Sequence, residues 1–223
     1  TNGLATVQYL SGATPTANNA VRLQATVASN SAVAPGTAAL TVNQSALFIA
    51  LGTGNTITNF NAETYEKNWT VYVTDATGVR VPGVPVTVKV IPNYYAKGRL
   101  VWSESDSRWI YHPGSAATAT TPAIPPSPLA CANEDSANLN GVLDLGEDAN
   151  GDGTLTPGNV VALTASTVTT DANGMATITM RYAELYASWI GVRLTATAIV
   201  SGTESTSFKD FPLDVLAGDY SVK

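Results

Sequence analysis

The chain has 223 residues, of which 44% are hydrophobic and only 13% charged, so it can build a packed core and does not belong to the disordered class. A net charge of −6 and an isoelectric point near 4.6 exclude a basic surface for nucleic acid. No apolar run approaches the roughly 20 residues of a membrane-spanning helix, so membrane insertion of that kind is not expected.

Ala, Thr, Val, Asn and Gly dominate the small and polar positions, which favours strands and turns over helices. In chain order, strands are expected at 4–10 and 21–28. In the latter, Val21, Leu23, Ala25 and Val27 alternate with Arg22, Gln24 and Thr26, the period of a half-buried strand. Strands at 38–42 and 46–51 follow, then an irregular polar stretch at 55–66. Residues 67–75 read as a clear strand, with Trp69, Val71 and Val73 on one face and Thr70, Tyr72 and Thr74 on the other. The next is 84–91, with Pro82 and Pro85 near its start. Residues 99–102 and 108–111 suit a hairpin, and the Ala/Thr/Pro-rich 113–128 should be extended. Strand structure resumes over 160–169, 175–181, 192–200 and 208–215, with one helical turn at 183–189.

An internal repeat organises these elements. NGLATV at 2–7 matches NGMATI at 173–178, and VRLQAT at 21–26 matches VRLTAT at 192–197. Both matches share one offset, the 171 residues from Val21 to Val192. Residues 1–42 therefore read as the closing strands of a preceding or partner-completed unit, and 43–223 as a whole unit interrupted by an insertion at about 92–158.

Within that insertion, EDSANLNGVLDLGEDANGDGTLTPGN at 134–159 gathers six acids: Glu134, Asp135, Asp144, Glu147, Asp148 and Asp152. Crowded carboxylates repel unless a cation sits among them. Asp148-x-Asn150-x-Asp152-Gly153 fits the opening of a calcium loop, with the Thr154 carbonyl at position seven and Thr156 at nine. Position twelve is Asn159 rather than the usual bidentate Glu. A first loop runs Ser136-x-Asn138-x-Asn140-Gly141, with Val142 at seven, Asp144 at nine and Glu147 at twelve. The two repeat with a period of twelve, and no amphipathic helix flanks either. The expected ligands for Ca2+ are thus Ser136, Asn138, Asn140, Val142, Asp144, Glu147, Asp148, Asn150, Asp152 and Thr154, and the ion would stiffen the insertion. The competing reading is an acidic, Gly-rich solvated loop.

A second candidate is the aromatic run Tyr94, Tyr95, Trp102, Trp109 and Tyr111, which either anchors the insertion to the core or stacks on a glycan or protein partner. His112 is the lone histidine and has no motif partner for a catalytic triad. The single Cys131 is either a buried thiol or pairs with another chain. Catalysis is not indicated.

VYVTDATGVRVPGVPVTVKV at 71–90 and TTDANGMATITMRYAELYASWIGVRLTATA at 169–198 resemble bacterial immunoglobulin-like domains of the invasin/intimin type. The carrying features are Thr74-Asp75-x-x-Gly78, Val81-Pro82-Gly83-Val84-Pro85-Val86 and Thr170-Asp171-x-Asn173-Gly174-x-Ala176. The double loop is similar to the tandem, helix-poor calcium loops of secreted bacterial proteins. The resemblance implies an all-β, immunoglobulin-like β-sandwich on a bacterial surface or filament, non-enzymatic and extracellular. The incomplete unit at 1–42 would leave open edges, covered either by the rest of a longer chain or by strand addition from a neighbouring copy. The expected partners are therefore neighbouring immunoglobulin-like domains or further copies of the chain, with a glycan or host-surface ligand for the aromatic run. A carbohydrate-binding accessory module of a secreted enzyme is the alternative. The insertion departs from ordinary members, which cross that connection quickly.

Overall fold

The computed structural model describes residues 5–9, 16, 19–40, 47–200 and 203–223. Among them the strands are β1 (Val21–Ala25), β2 (Gly36–Leu40), β3 (Phe48–Thr53), β4 (Thr58–Asn61), β5 (Thr64–Thr74), β6 (Pro85–Lys97), β7 (Leu100–Ser103), β8 (Arg108–Tyr111), β9 (Leu129–Ala132), β10 (Val161–Leu163), β11 (Thr167–Thr169), β12 (Met175–Ala183), β13 (Ile190–Val200) and β14 (Thr203–Pro212). Two five-stranded antiparallel sheets form a β-sandwich. One runs β10-β12-β5-β3, with β4 also paired to β5; the other runs β11-β6-β13-β14, with β9 also paired to β6. The fold class is all-β: the only helical pieces among the described residues are 3-10 turns at Glu184–Tyr186 and Asp219–Ser221.

The core follows from a period of two in the four central strands. Trp69, Val71 and Val73 of β5 and Ile178, Met180 and Tyr182 of β12 face Val86, Val88 and Val90 of β6 and Val192, Leu194 and Ala196 of β13, all buried. Each fully buried side chain of this size contributes roughly 1.5–3 kcal/mol relative to exposure. Tyr65 and Tyr182 meet edge to face at 5.9 Å. Lys67 is the one buried cation among the described residues, 4% exposed, and its ammonium reaches Asp214.

The turns work through side chains that the chain repeats. Asp75 accepts the Thr77 and Val79 N–H groups, and Asp171 accepts those of Asn173 and Met175. Gly78 and Gly174 close these turns at φ 82° and 68°, where a Cβ is strained. Thr170 is buried between the sheets' connections; its hydroxyl accepts the Val84 N–H and donates to the Val81 carbonyl, each at 2.9 Å.

Several sequence expectations shift. Residues 55–66 are not irregular: β4 and the start of β5 form a hairpin, which the Asn-rich composition conceals. The stretch 160–169 is two strands, β10 and β11, in opposite sheets. β6 runs on past Pro92 to Lys97, because the ladder skips a residue there: Pro92 faces Val192 while Tyr94 faces Gly191. Such a bulge tolerates proline. The excursion therefore leaves the sheet at Gly98 rather than near 92, and β9, unforeseen in the sequence, brings it back to pair with the end of β6. The expected strand at 4–10 lies partly outside the described residues, and its described part, 5–9, is not a strand. The boundary at 42/43 also lies outside them.

The hairpin β1–β2 stands apart as its own two-stranded sheet. It pairs Val21 with Leu40 and Ala25 with Gly36. Moved along by the 171-residue offset, these pairs become Val192 with Phe211 and Ala196 with Ser207, which are partners in β13–β14. The two hairpins thus share one register on both strands. Their surroundings differ. Val192 and Leu194 are fully buried, whereas Val21 and Leu23 are only half-buried. β13 takes β6 on its second edge; among the described residues β1 pairs with β2 alone.

Candidate metal centre

The acidic double turn joins β9, in one sheet, to β10, in the other. Asn133 ties its start to β6 by donating its amide N–H to the Pro92 carbonyl at 2.6 Å, and Lys89 Nζ of β6 donates to the Leu139 carbonyl at 2.9 Å.

The second turn is built around Asp148. Its carboxylate accepts the N–H groups of Gly151, Asp152 and Gly153 at 2.7, 3.0 and 2.9 Å. Asn150 Oδ1 accepts the Asp152 N–H, and Asp152 Oδ1 accepts both the N–H and the hydroxyl of Thr154. Those bonds, the Thr154 hydroxyl foremost, hold the Asp152 carboxyl below the usual carboxylate range. Gly153 takes φ 77°, as the sharp turn at position six requires.

The first turn repeats this arrangement twelve residues earlier. Asn138 Oδ1 accepts the Asn140 N–H, Asn140 Oδ1 accepts that of Val142, and Gly141 has φ 81°. The Asn138 amide donates to Asp144, as the Asn150 amide donates to Thr156. The leading carboxylate is Asp135, which accepts the N–H groups of Asn140 and Gly141 at 3.2 and 2.6 Å. Ser136, the expected first position, is exposed and does not fill this place, because the first turn contains one extra residue before Asn138.

The closing acid of the second turn is the feature that sequence reasoning missed; Glu147 is the acid expected at position twelve of the first. Glu147 accepts the Asp144 N–H at 3.0 Å. The equivalent N–H, that of Thr156, goes at 2.8 Å to Glu134, which also accepts the Asn150 N–H at 3.1 Å. Asn159 instead turns to β10, where its Oδ1 accepts the Val161 N–H. The signal in the sequence is the doubled dipeptide Glu134-Asp135 and Glu147-Asp148.

Glu134, Asp135 and Glu147 are 7%, 2% and 6% exposed. Glu147 Oε1 is buried without a hydrogen-bond partner. The four ion pairs among the described residues all lie elsewhere, so none of these carboxylates is in direct contact with a Lys or Arg there; Lys89 reaches the first turn through the Leu139 carbonyl. Burying ionised carboxylates without a counter-charge costs several kcal/mol or more. Among the described residues no three His, Cys, Asp or Glu side chains form a ready metal cluster on their own. The donor set is mixed, with Asn side-chain oxygens beside the acids, which is the chemistry that suits a hard cation such as Ca2+.

The aromatic run is brought together only in part. Trp102 and Trp109 face each other across the β7–β8 hairpin, edge to face at 5.8 Å. Trp109 Nε1 donates to the Val222 carbonyl and the Tyr111 hydroxyl to that of Ser188, so the hairpin is pinned to the chain's last residues and to the connection just before β13. Tyr94 lies across Gly191, and Tyr95 packs against the core. His112 braces the same loop, with Nε2 2.9 Å from an Arg99 guanidinium nitrogen. Cys131 is half-buried in β9 rather than fully buried, and is a free thiol. No protein-family model matches this chain, and no curated protein and no solved structure matches it either.

Proposed function

We propose that this chain is a non-enzymatic structural segment of a repetitive, extracellular bacterial surface or filament protein built from immunoglobulin-like units. Ca2+ rigidifies the excursion between Gly98 and Asn159, and units meet by strand addition. The observation that carries the reading is the common register of β1–β2 and β13–β14, 171 residues apart. One hairpin occurs twice, once inside a sandwich and once with an edge that is unpaired among the described residues and a half-exposed apolar face. An open edge is a template for another strand. What covers the same edge of β13 is β6, a Val-alternating strand, so a β6-like strand of a neighbouring unit is the fitting occupant of β1. The experiment is electron microscopy and light scattering of the full chain across concentration, beside Leu23→Glu. Head-to-tail assemblies lost in the variant support strand addition between copies. A wild-type chain that stays monomeric at every concentration, or assembly unchanged by Leu23→Glu, removes it.

One feature favours the second reading, a carbohydrate-binding module. A cleft of about 430 Å³ is lined by Trp109, Trp189 and Tyr220, with Glu184 and Asp219 at its polar side. Aromatic faces beside carboxylates suit sugar rings. Glycan binding lost on Trp109→Ala with the β-sheet circular dichroism retained would favour it over packing alone.

A further inference from the structure

We infer that the insertion holds two Ca2+ ions with exchanged closing carboxylates: Glu147 closes the turn led by Asp135, and Glu134 closes the turn led by Asp148. This rests on the calcium reading above and goes beyond it.

In each turn a leading Asp gathers consecutive main-chain N–H groups, an Asn amide reaches the residue six further on, and a Glu accepts that residue's N–H. In the first turn those residues are Asp135, Asn138, Asp144 and Glu147. In the second they are Asp148, Asn150, Thr156 and Glu134. The place where a continuous loop would find its closing acid in the second turn is Asn159, which is engaged with Val161 of β10. Each of the six acids of the run thereby has a turn, Asp135, Asp144 and Glu147 in one and Asp148, Asp152 and Glu134 in the other; no three of these carboxylates converge among the described residues, so neutral oxygens complete each site. The buried, unpartnered Oε1 of Glu147 independently points to a ligand, because a carboxylate oxygen with no donor in a buried place is stabilised by a cation.

The exchange has a mechanical consequence. Each acidic dipeptide serves both ions: Glu134 faces one and Asp135 the other, and Glu147 and Asp148 divide in the same way. An ion in one turn fixes the backbone that carries a ligand of its neighbour. The two binding events are therefore coupled through ordering of shared segments. The coupled pair also spans β9 of one sheet and β10 of the other, so loading it fastens the sandwich along one side.

Calorimetric titration of the chelator-stripped full chain with Ca2+ tests this. Wild type should bind two ions, and Glu134→Gln should leave one, or weaken one at least tenfold. Asn159→Ala should keep both. The double variants assign the turn. Glu134→Gln with Asp152→Asn strikes the same site twice and retains one ion, whereas Glu134→Gln with Asp144→Asn strikes both and retains none. Circular dichroism checks that each variant is folded. Two ions bound normally by Glu134→Gln, or the reverse pattern in the double variants, overturn the exchange while leaving the calcium reading standing. A wild-type chain that binds no Ca2+ overturns both.

Discussion

Leu139 holds a left-handed backbone, φ 53°, at the place in the first turn where Gly151, φ 75°, stands in the second. The repeat is thus a repeat of backbone path, and the path asks for glycine at a position that the first turn fills with leucine. For a non-glycine residue that conformation costs about 1–2 kcal/mol. A Cβ on Gly151 would meet no atom within 4 Å, so a substitution there tests conformation alone. Gly151→Ala should destabilise the insertion by about 1 kcal/mol, read as faster amide exchange over 134–159 without Ca2+. Leu139→Gly should gain less than it relieves, because glycine loses about 0.5–1 kcal/mol in chain entropy. Equal exchange in wild type and Gly151→Ala would refute the argument.

Much of the sandwich is legible in the sequence because it rests on local pattern. Alternation in β5, β12 and β13 names their inward faces, and the Asp75 and Asp171 turns announce themselves by Asp followed by Gly three residues on. What escapes is whatever depends on a partner far along the chain. β9 is four residues, Leu129–Ala132, after a Pro-rich run, and exists because the end of β6 offers it an edge. Glu134 is invisible as a closing acid because calcium-loop spacing is counted forward, whereas its partners, Asn150 and Thr156, follow it by 16 and 22 residues. The split of 160–169 likewise follows from Thr164 and Ser166 bonding to different sheets, through Thr179 and Val88.

Tyr94 and Gly191 are partners across β6 and β13, and a Cβ on Gly191 would fall within the Tyr94 ring. The glycine is needed so that the ring can lie flat over the bulge. Gly191→Ala should therefore cost about 1–3 kcal/mol, the range for overpacking a filled site. Adding Tyr94→Ala removes the obstacle, so the double variant should be more stable than the sum of the single effects requires. Urea denaturation of the four proteins checks it; simple additivity would show that the ring does not dictate the glycine.

Lys67 and Asp214 form an ion pair in which the lysine side chain is 5% exposed and the carboxylate 41%. The asymmetry sets the order of two substitutions. Asp214→Ala strands a cation on the buried face of β5, between Tyr65 and Trp69 and opposite Met180, and should cost about 3 kcal/mol. Lys67→Met removes the charge with the partner still able to meet water, and should cost clearly less. Denaturation midpoints of the two variants decide the point: if Lys67→Met is the worse, the pair contributes more than it costs to bury.

Asp75 and Asp171 give the sandwich a pH dependence of its own. The Asp75 carboxyl is held below its usual range first by the Thr77 hydroxyl and then by the Val79 N–H; that of Asp171 is held down by the N–H groups of Met175 and Asn173. A carboxylate whose folded pKa is depressed adds stability that is fully present above its unfolded value of about 3.9 and is lost as pH falls through the folded value. Asp171 is exposed and Asp75 half-exposed, so each effect is small, but the same turn is used twice. The Tm of wild type in chelator should therefore fall more steeply below about pH 4 than that of Asp75→Asn with Asp171→Asn. The amides keep acceptor oxygens but do not titrate, and Asp210, lowered by its bond to Arg193, is common to both proteins and cancels. The two curves should stand apart at neutral pH and converge in acid. A gap that is constant from neutral pH to acid would mean that the turns are held by shape alone, with no contribution from the carboxylate charge.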